Sequence, residues 1–353
     1  WGVDHIRRAA ALAVIALILV ATGVSIVHRV VTGTAYGVFA VSAVAVVAVL
    51  GTLLSRTGSP RLATALSVAA LPPIAAAFAL AVPGDFGAAQ VLLAAAGVAA
   101  WSVISITVGQ RAIAVFTAAA ATALTVAAAA AAVSLWTLSP VAVGCGLILV
   151  ALVITVQAAQ LSAMCARLPV PVIPAPGDPT PSALPLRVLE DLPRRIRVGD
   201  SHQTGFIAAG VLLAVTGSLA VLWPAVTGEG AVSPWAWYLV VASAVAAALR
   251  ARVWDSAPCK AWLLGHPYLI TTALVVGFTA AGQYTAMWWS LAVLVALAVA
   301  WVVVALNPGI AEPATYSLPM RRLLGFLASA LDASVIPVMA YLVGLFTWAL
   351  NGF

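Results

Sequence analysis

Charge is the scarcest property of this sequence. Only 7% of its 353 residues are Asp, Glu, Lys or Arg, and 64% are hydrophobic, whereas about a quarter of the residues in soluble domains are charged. The one lysine, Lys260, stands between Cys259 and Ala261 and not in a Gly-Lys-Ser/Thr motif. A water-soluble fold and a Walker-type nucleotide site are therefore both excluded.

Cysteines and catalytic motifs are also few. The three cysteines, Cys145, Cys165 and Cys259, are far apart, so we expect free thiols and neither a disulfide nor a metal site. GxSxG, HExxH and paired acidic motifs are absent. A lipid-acting enzyme could use only His202 with Asp200, and such polar residues near a helix start are more typical of caps. We therefore predict no enzymatic activity and no cofactor.

Long uncharged runs dominate what remains. Each is near the length of about 20 residues that crosses a bilayer, and a segment in lipid satisfies its own backbone as a helix. The predicted fold is an all-α integral membrane protein with about eleven spans. The predicted spans are 9–27, 35–54, 62–83, 88–108, 112–133, 141–161, 204–223, 235–249, 263–281, 286–306 and 325–350.

The basic residues predict the orientation. With a cytoplasmic N-terminus, the outer segments carry only Arg29, and every other arginine and the lysine fall inside. The C-terminus is then periplasmic. Most tryptophans fall at predicted span ends, as interfacial anchors do, although the pair Trp288 and Trp289 could also stack on a ligand. The basic residues form no continuous face, so no nucleic-acid partner is expected.

Ionisable residues within the spans are rare, which argues against a proton- or ion-coupled transporter. Asp332 is expected near the inner boundary, paired with a basic loop residue, and a proton site is the alternative. His266 is expected to be a boundary histidine. Pro72, Pro73 and Pro337 are predicted to kink the third and last spans.

One long connection divides the chain into a six-helix half at 1–161, a cytoplasmic Pro-rich and basic loop at 162–203, and a five-helix half at 204–353. Its prolines favour an extended strut. Its basic cluster either fixes the topology or binds a partner or anionic headgroups. The candidate contacts here and in later inner loops are Arg187, Arg194, Arg195, Arg197, Arg250, Arg252, Lys260, Arg321 and Arg322.

Small residues are the signal for helix packing. The fourth and fifth spans are rich in alanine, so we expect them to lie among other helices, whereas the first and tenth are expected to face lipid. Gly33 and Gly37 have the GxxxG spacing of closely packed helices.

Several segments resemble the EccD family, the polytopic membrane component of mycobacterial type VII (ESX) secretion machines. They are Val156-Gln-Ala-Ala-Gln-Leu-Ser-Ala-Met, Arg167-Leu-Pro-Val-Pro-Val-Ile-Pro, Asp191-Leu-Pro-Arg-Arg, His202-Gln-Thr-Gly, Leu249-Arg-Ala-Arg-Val-Trp-Asp-Ser, Lys260-Ala-Trp-Leu-Leu-Gly-His and Tyr316-Ser-Leu-Pro-Met-Arg-Arg. Among the subtypes, the sequence is most similar to the ESX system linked to iron and zinc acquisition. In the family a ubiquitin-like domain precedes the first span; we expect it to end just before Trp1.

The resemblance implies a non-catalytic scaffold in the bacterial inner membrane. It implies pairing with a second copy around a lipid-filled vestibule, and assembly with EccB, EccE and the ATPase EccC. A stand-alone permease for an uncharged or lipid-like substrate is the alternative, because such a substrate needs no buried charge; Gln90, Gln157 and Thr271 could line its route.

Overall fold

The chain forms fourteen α-helices within the residues that the computed structural model describes, which are 3–109, 111–168, 186–307 and 317–351. The helices are α1 (Val3–Thr32), α2 (Tyr36–Gly58), α3 (Pro60–Ala69), α4 (Leu71–Ala81), α5 (Ala88–Gly109), α6 (Ile113–Leu135), α7 (Pro140–Cys165), α8 (Leu186–Val221), α9 (Trp223–Thr227), α10 (Pro234–Arg250), α11 (Ala257–Ala280), α12 (Tyr284–Leu306), α13 (Leu318–Leu342) and α14 (Leu345–Asn351). A 3-10 turn, Ala251–Val253, follows α10.

Eleven segments in the described ranges are long and apolar enough to cross a bilayer, which confirms the predicted fold class and the number of spans. Nine of them lie within single long helices, the third combines α3 with α4, and the eighth combines α10 with the 3-10 turn that follows it. The short helices α9 and α14 are additional to the spans.

The third span is interrupted where its prolines predict a kink. Helix α3 ends at Ala69, and α4 begins at Leu71, directly before Pro72 and Pro73. Proline lacks a backbone donor and its ring crowds the preceding turn, so this pair removes two helical hydrogen bonds and interrupts the helix. Pro337, in contrast, lies inside the continuous helix α13.

The long connection is shorter than predicted. Helix α7 continues to Cys165, and α8 begins at Leu186 instead of residue 204, so Arg194, Arg195 and Arg197 lie on a helix and not in a loop. The charges at this end of α8 resemble a loop in sequence, but an ion pair one helical turn apart supports helix here. The predicted polyproline strut, 168–181, lies outside the described residues apart from Leu168.

The last span also differs from its prediction. Helix α13 begins at Leu318, with Pro319 in its first turn, and ends at Leu342. Gly344 then adopts a φ of +78° before the short helix α14. That left-handed conformation favours glycine and ends the helix inside the predicted span 325–350.

Two compact units divide the chain by its internal contacts. The first comprises Trp1–Thr137 and Ala159–Phe206, and the second comprises Leu138–Ala158 and Ile207–Phe353. Helices α7 and α8 therefore contribute to both units. The division predicted at 161 and 204 concerns membrane halves and not packing, and it remains a prediction.

The first unit has its core at α1 to α6. Ile18, Leu66, Ile74, Trp101 and Phe116 are buried together, and the indole of Trp101 donates a hydrogen bond to the Ser67 carbonyl at 2.9 Å. A smaller cluster of Ala95, Ala99 and Ala123 joins α5 to α6. The alanine-rich fourth and fifth spans thus pack closely, as expected.

The second unit is centred on α7, α8, α10, α11 and α13. Ile148, Val221, Leu239, Ile270 and Val335 are among its buried side chains. Helix α12 belongs to this unit but has no buried residue. Among the cysteines, Cys145 and Cys259 are buried and Cys165 is exposed.

Candidate functional site

The first turns of α8 carry the predicted basic cluster, and its three arginines have different environments. The Arg195 Nε atom lies 2.9 Å from Asp191 Oδ2, and the Arg195 Nη1 atom donates to the Arg167 carbonyl at 2.8 Å. Arg167 follows the last residue of α7 in the turn that ends that helix. Arg195 therefore joins the start of α8 to the end of α7.

Arg194 and Arg197 lie on the exposed side of the same helix. Arg194 contacts Asp191 at 3.8 Å, and Arg197 Nε lies 3.4 Å from the Pro193 carbonyl one turn earlier. Surface contacts of this kind contribute little to stability. These two guanidinium groups form the accessible part of the cluster.

His202 is not a helix cap, because α8 begins at Leu186, sixteen positions earlier. Its side chain is 7% exposed, and its Nδ1 atom lies 2.8 Å from the hydroxyl of Thr117 on α6. Phe206 stacks on the same ring. His202 therefore links α8 to α6 inside the first unit, while Asp200 is exposed beside it.

Arg250 and Asp332 form an ion pair between α10 and α13. The Arg250 Nε atom lies 3.0 Å from Asp332 Oδ2, and Nη2 contacts Oδ1; the side chains are 16% and 26% exposed. Tyr238 and Ser334 add a hydroxyl contact of 2.7 Å between the same helices. The predicted pairing of Asp332 with a basic residue is confirmed. The guanidinium of Arg250 is occupied within this unit.

A small cavity of about 40 Å³ adjoins this pair, with Thr155, Ser243 and His266 in its lining. The expected boundary position of His266 is wrong, because this span begins at Ala257, more than two helical turns earlier. The side chain is 2% exposed. Neither of its ring nitrogens has a hydrogen-bond partner among the described residues.

Arg252 and Lys260 line a larger groove, of about 520 Å³, at the adjoining ends of α10 and α11. Leu264, Tyr268 and Trp301 are among the apolar and aromatic side chains that complete it. Arg252 also reaches towards α13, since a Cβ atom on Gly325 would lie 3.6 Å from its Nη2. Two cations above an apolar wall are suited to an anionic amphiphile or an acidic protein segment.

The remaining candidate cations are less well defined. Arg322 is exposed in the first turns of α13 and lines a shallow surface with Leu318 and Phe326. The side chains of Arg187 and Arg321 lie outside the part that the structure describes.

Gly33 and Gly37 have different roles in the structure. A Cβ atom on Gly37 would lie 2.6 Å from the Ser25 carbonyl oxygen, so this glycine allows α2 to approach α1. Gly33 lies in the turn between these helices with a φ of +67°, and nothing is within 4 Å of a Cβ at this position. The structure thus assigns Gly33 to the turn and not to helix packing.

Sequence reasoning missed several other close helix contacts. In the second unit, a Cβ on Gly144 of α7 would lie 2.5 Å from the Gly217 carbonyl oxygen, and a Cβ on Gly217 of α8 would lie 2.7 Å from that of Gly144. In the first unit, a Cβ on Gly205 of α8 would lie 2.6 Å from the Ala114 carbonyl oxygen of α6. The recurrence of glycine along α8 was the available signal.

This geometry defines a polytopic helical membrane protein with basic groups at the ends of its spans. Residues 7–351 match the model of the EccD-like transmembrane domain, and the chain belongs to the EccD family. It is 62% identical over 353 residues to the ESX-3 secretion system protein EccD3 of Mycolicibacterium smegmatis, covering 99% of this chain and 73% of the relative. It is 61% identical over 355 residues to EccD3 of Mycobacterium tuberculosis, covering 99% of this chain and 74% of the relative.

Two solved structures resemble the chain. Protomer 1 of the ESX-3 core complex matches with a TM-score of 0.89 and 60% identity, over 98% of this chain and 77% of that chain. A chain of the ESX-5 inner membrane complex shares the fold, with a TM-score of 0.67 and 20% identity over 86% of this chain and 72% of that chain. The resemblance to EccD and to the iron- and zinc-linked subtype is confirmed. The chain is a structural subunit of a multi-subunit membrane secretion complex.

Proposed function

We propose that this subunit is a non-enzymatic scaffold of the bacterial inner membrane. It pairs with a second copy around a lipid-filled vestibule and docks the ATPase EccC, with EccB and EccE as further partners. The energy comes from the ATPase, since the single lysine lies outside any nucleotide-binding motif. The observation that carries the docking role is the exposure of Arg194 and Arg197 on α8.

The proposal includes an orientation, with the N-terminus in the cytoplasm and the C-terminus in the periplasm. Every arginine except Arg29, together with the lysine, then falls on the cytoplasmic side. The start of α8, the groove at Arg252 and Lys260, and the start of α13 face the cytoplasm in this arrangement. A cytoplasmic ATPase would meet these basic surfaces directly.

Electrostatic complementarity is the mechanism that we propose for docking. Exposed cations steer an acidic partner and fix its register, and they contribute little to the stability of their own helix. Arg195 differs, because its bonds to Asp191 and the Arg167 carbonyl hold the connection between α7 and α8. A test of docking must therefore leave Arg195 intact.

The experiment is co-purification of the tagged chain with the ATPase from its native membrane. We expect the double variant Arg194→Glu and Arg197→Glu to insert normally and to recover much less ATPase. Arg61→Glu is the matched control, because Arg61 is an exposed cation of α3 on the same predicted side. Equal ATPase recovery from the double variant and the wild type would refute docking at α8.

Arg195→Gln tests whether Arg195 has an internal, structural role. We expect it to lower the melting temperature of the isolated chain, because the bonds to the end of α7 are lost. If Arg195→Gln left the melting temperature unchanged and the double variant lowered it, the assignment of internal and external roles would be reversed.

A further inference from the structure

A second basic cavity lies in the first unit, at the end of α2, the start of α3, the end of α5 and the start of α6. Its volume is about 200 Å³. Its lining includes Arg56, Ser105 and Arg111. We propose that this cavity binds a phosphate group, carried either by an anionic phospholipid or by free inorganic phosphate. The proposal is independent of the docking role of α8.

The two arginines supply the positive charge. Arg56 is half-buried and Arg111 is exposed, and neither has an ion pair or hydrogen bond within the described ranges. Arg56 lies across the end of α5, where its Nη2 atom would be 4.0 Å from a Cβ on Gly109. None of the described residues lining the cavity is acidic. Two guanidinium groups without a carboxylate favour a shared anion, and a phosphate accepts from several N–H groups at once.

Ser105 is the polar side chain of the lining that is best suited to bind a ligand. It is 5% exposed, and its hydroxyl has no hydrogen-bond partner in the described part of the chain. The other hydroxyls of the lining, on Thr52, Thr64 and Ser67, donate to carbonyls of their own helices. Ser105 makes no such bond among the described residues, so its hydroxyl can donate to an oxygen atom that is bound in the cavity.

The backbone adds to this environment. Pro60 is the first residue of α3, and Arg111 lies two positions before the first residue of α6. Neither helix start has a side-chain cap. Uncapped N-terminal amides carry partial positive charge, which favours an anion beside the two arginines. Val108 supplies an exposed apolar edge, against which the glycerol and acyl part of a lipid could lie.

The test uses the full chain in two arms. In the first, the protein is placed in nanodiscs of phosphatidylcholine with or without phosphatidylglycerol, and lipids retained after gentle detergent release are measured by native mass spectrometry. In the second, inorganic phosphate is titrated against the protein in neutral detergent, and the melting temperature is recorded. Retained phosphatidylglycerol indicates a lipid source, and saturable stabilisation by phosphate indicates a free anion.

The variants decide whether the cavity is responsible. We expect Arg56→Gln with Arg111→Gln to weaken the observed binding at least about tenfold, and Ser105→Ala to weaken it less without changing the charge. Arg61→Gln is the matched control, because Arg61 lies in the first turn of α3 beside the cavity residue Pro60 but does not itself line the cavity. Ser105→Ala also covers the case in which the double variant fails to fold.

Two results would overturn the proposal. One is that neither phosphatidylglycerol nor phosphate binds the wild type. The other is that the cavity variants and Arg61→Gln reduce binding equally, which would indicate a diffuse attraction between a basic surface and anions.

Discussion

Helices α8 and α12 are both strongly apolar, yet they lie in opposite environments. The most apolar stretch of α8 has a mean hydropathy of 2.0 and is 61% buried; that of α12 has a mean hydropathy of 2.6 and is 0% buried. In water the more apolar helix would be expected inside. In a bilayer, lipid tails are as apolar as leucine, so hydropathy does not determine which helix is buried.

Residue size separates the two helices instead. Helix α8 places glycines against backbone atoms of α6 and α7, which allows neighbouring helices to approach closely. Helix α12 has no glycine and carries Trp288, Trp289 and Trp301, all exposed. Close packing between small residues, rather than apolar character, thus accounts for the burial of α8.

The largest difference in stability loss between variants of α8 and α12 is expected when a large side chain is truncated to alanine. Leu213 of α8 is fully buried, so Leu213→Ala leaves a cavity and should cost about 2–5 kcal/mol. Val299 of α12 is 56% exposed, and lipid can fill the space left by Val299→Ala. Thermal denaturation in detergent should show a large fall in melting temperature for Leu213→Ala and almost none for Val299→Ala. Equal falls would contradict the different environments of α8 and α12.

Helix α13 adds a third case to the comparison of α8 with α12. Its most apolar stretch is only 17% buried, yet an ion pair between Arg250 and Asp332 joins it to α10. Asp332→Asn leaves a charge without its partner. Breaking a fully buried pair costs about 3–5 kcal/mol, and partial exposure should reduce this to about 2 kcal/mol.

The matched control for the ion pair is Asp200→Asn, which changes an exposed acid. The double variant Arg250→Met and Asp332→Leu should recover most of the lost melting temperature, because no charge is then left unpaired. If the double variant were as unstable as Asp332→Asn, the hydrogen-bond geometry and not the unpaired charge would explain the loss.

The smallest effect is expected from a single methyl group. Gly217→Ala places a Cβ 2.7 Å from the Gly144 carbonyl oxygen, and the resulting overpacking should cost about 1–2 kcal/mol. Gly146 lies in α7, two residues after Gly144, and a Cβ atom at Gly146 would have nothing within 4 Å. Gly146→Ala should therefore stabilise the helix by up to about 1 kcal/mol. Melting temperatures that shift in opposite directions would support the close crossing; a rise for both would exclude it.

The number of spans could be predicted because nearly all of them are uninterrupted apolar runs, and a lipid environment favours helix for such a run. Pro72 and Pro73 also gave the break in the third span. The start of α8 could not be predicted in this way. Its charged residues have the composition of a loop, and helix there depends on Arg195 bonding Asp191 and the distant Arg167 carbonyl.

The side-chain contacts of the candidate site were only partly predictable. A carboxylate within a span has to be paired, so a basic partner for Asp332 was expected, but the choice of Arg250 depends on how α10 packs on α13. The crossing of Gly144 and Gly217 joins residues far apart in sequence; the recurring glycines of α8 indicate a packing surface there but do not identify Gly144 as the partner. The burial of His266 likewise follows from where α11 begins.

The positions of the cysteines allow the membrane orientation to be measured by thiol labelling. Cys145 and Cys259 are buried, whereas Cys165 is exposed at the end of α7. A membrane-impermeant maleimide should therefore modify one thiol of the unaltered chain in inside-out vesicles and none in intact spheroplasts. Labelling in spheroplasts instead would invert the proposed orientation and move every basic surface to the opposite face of the membrane.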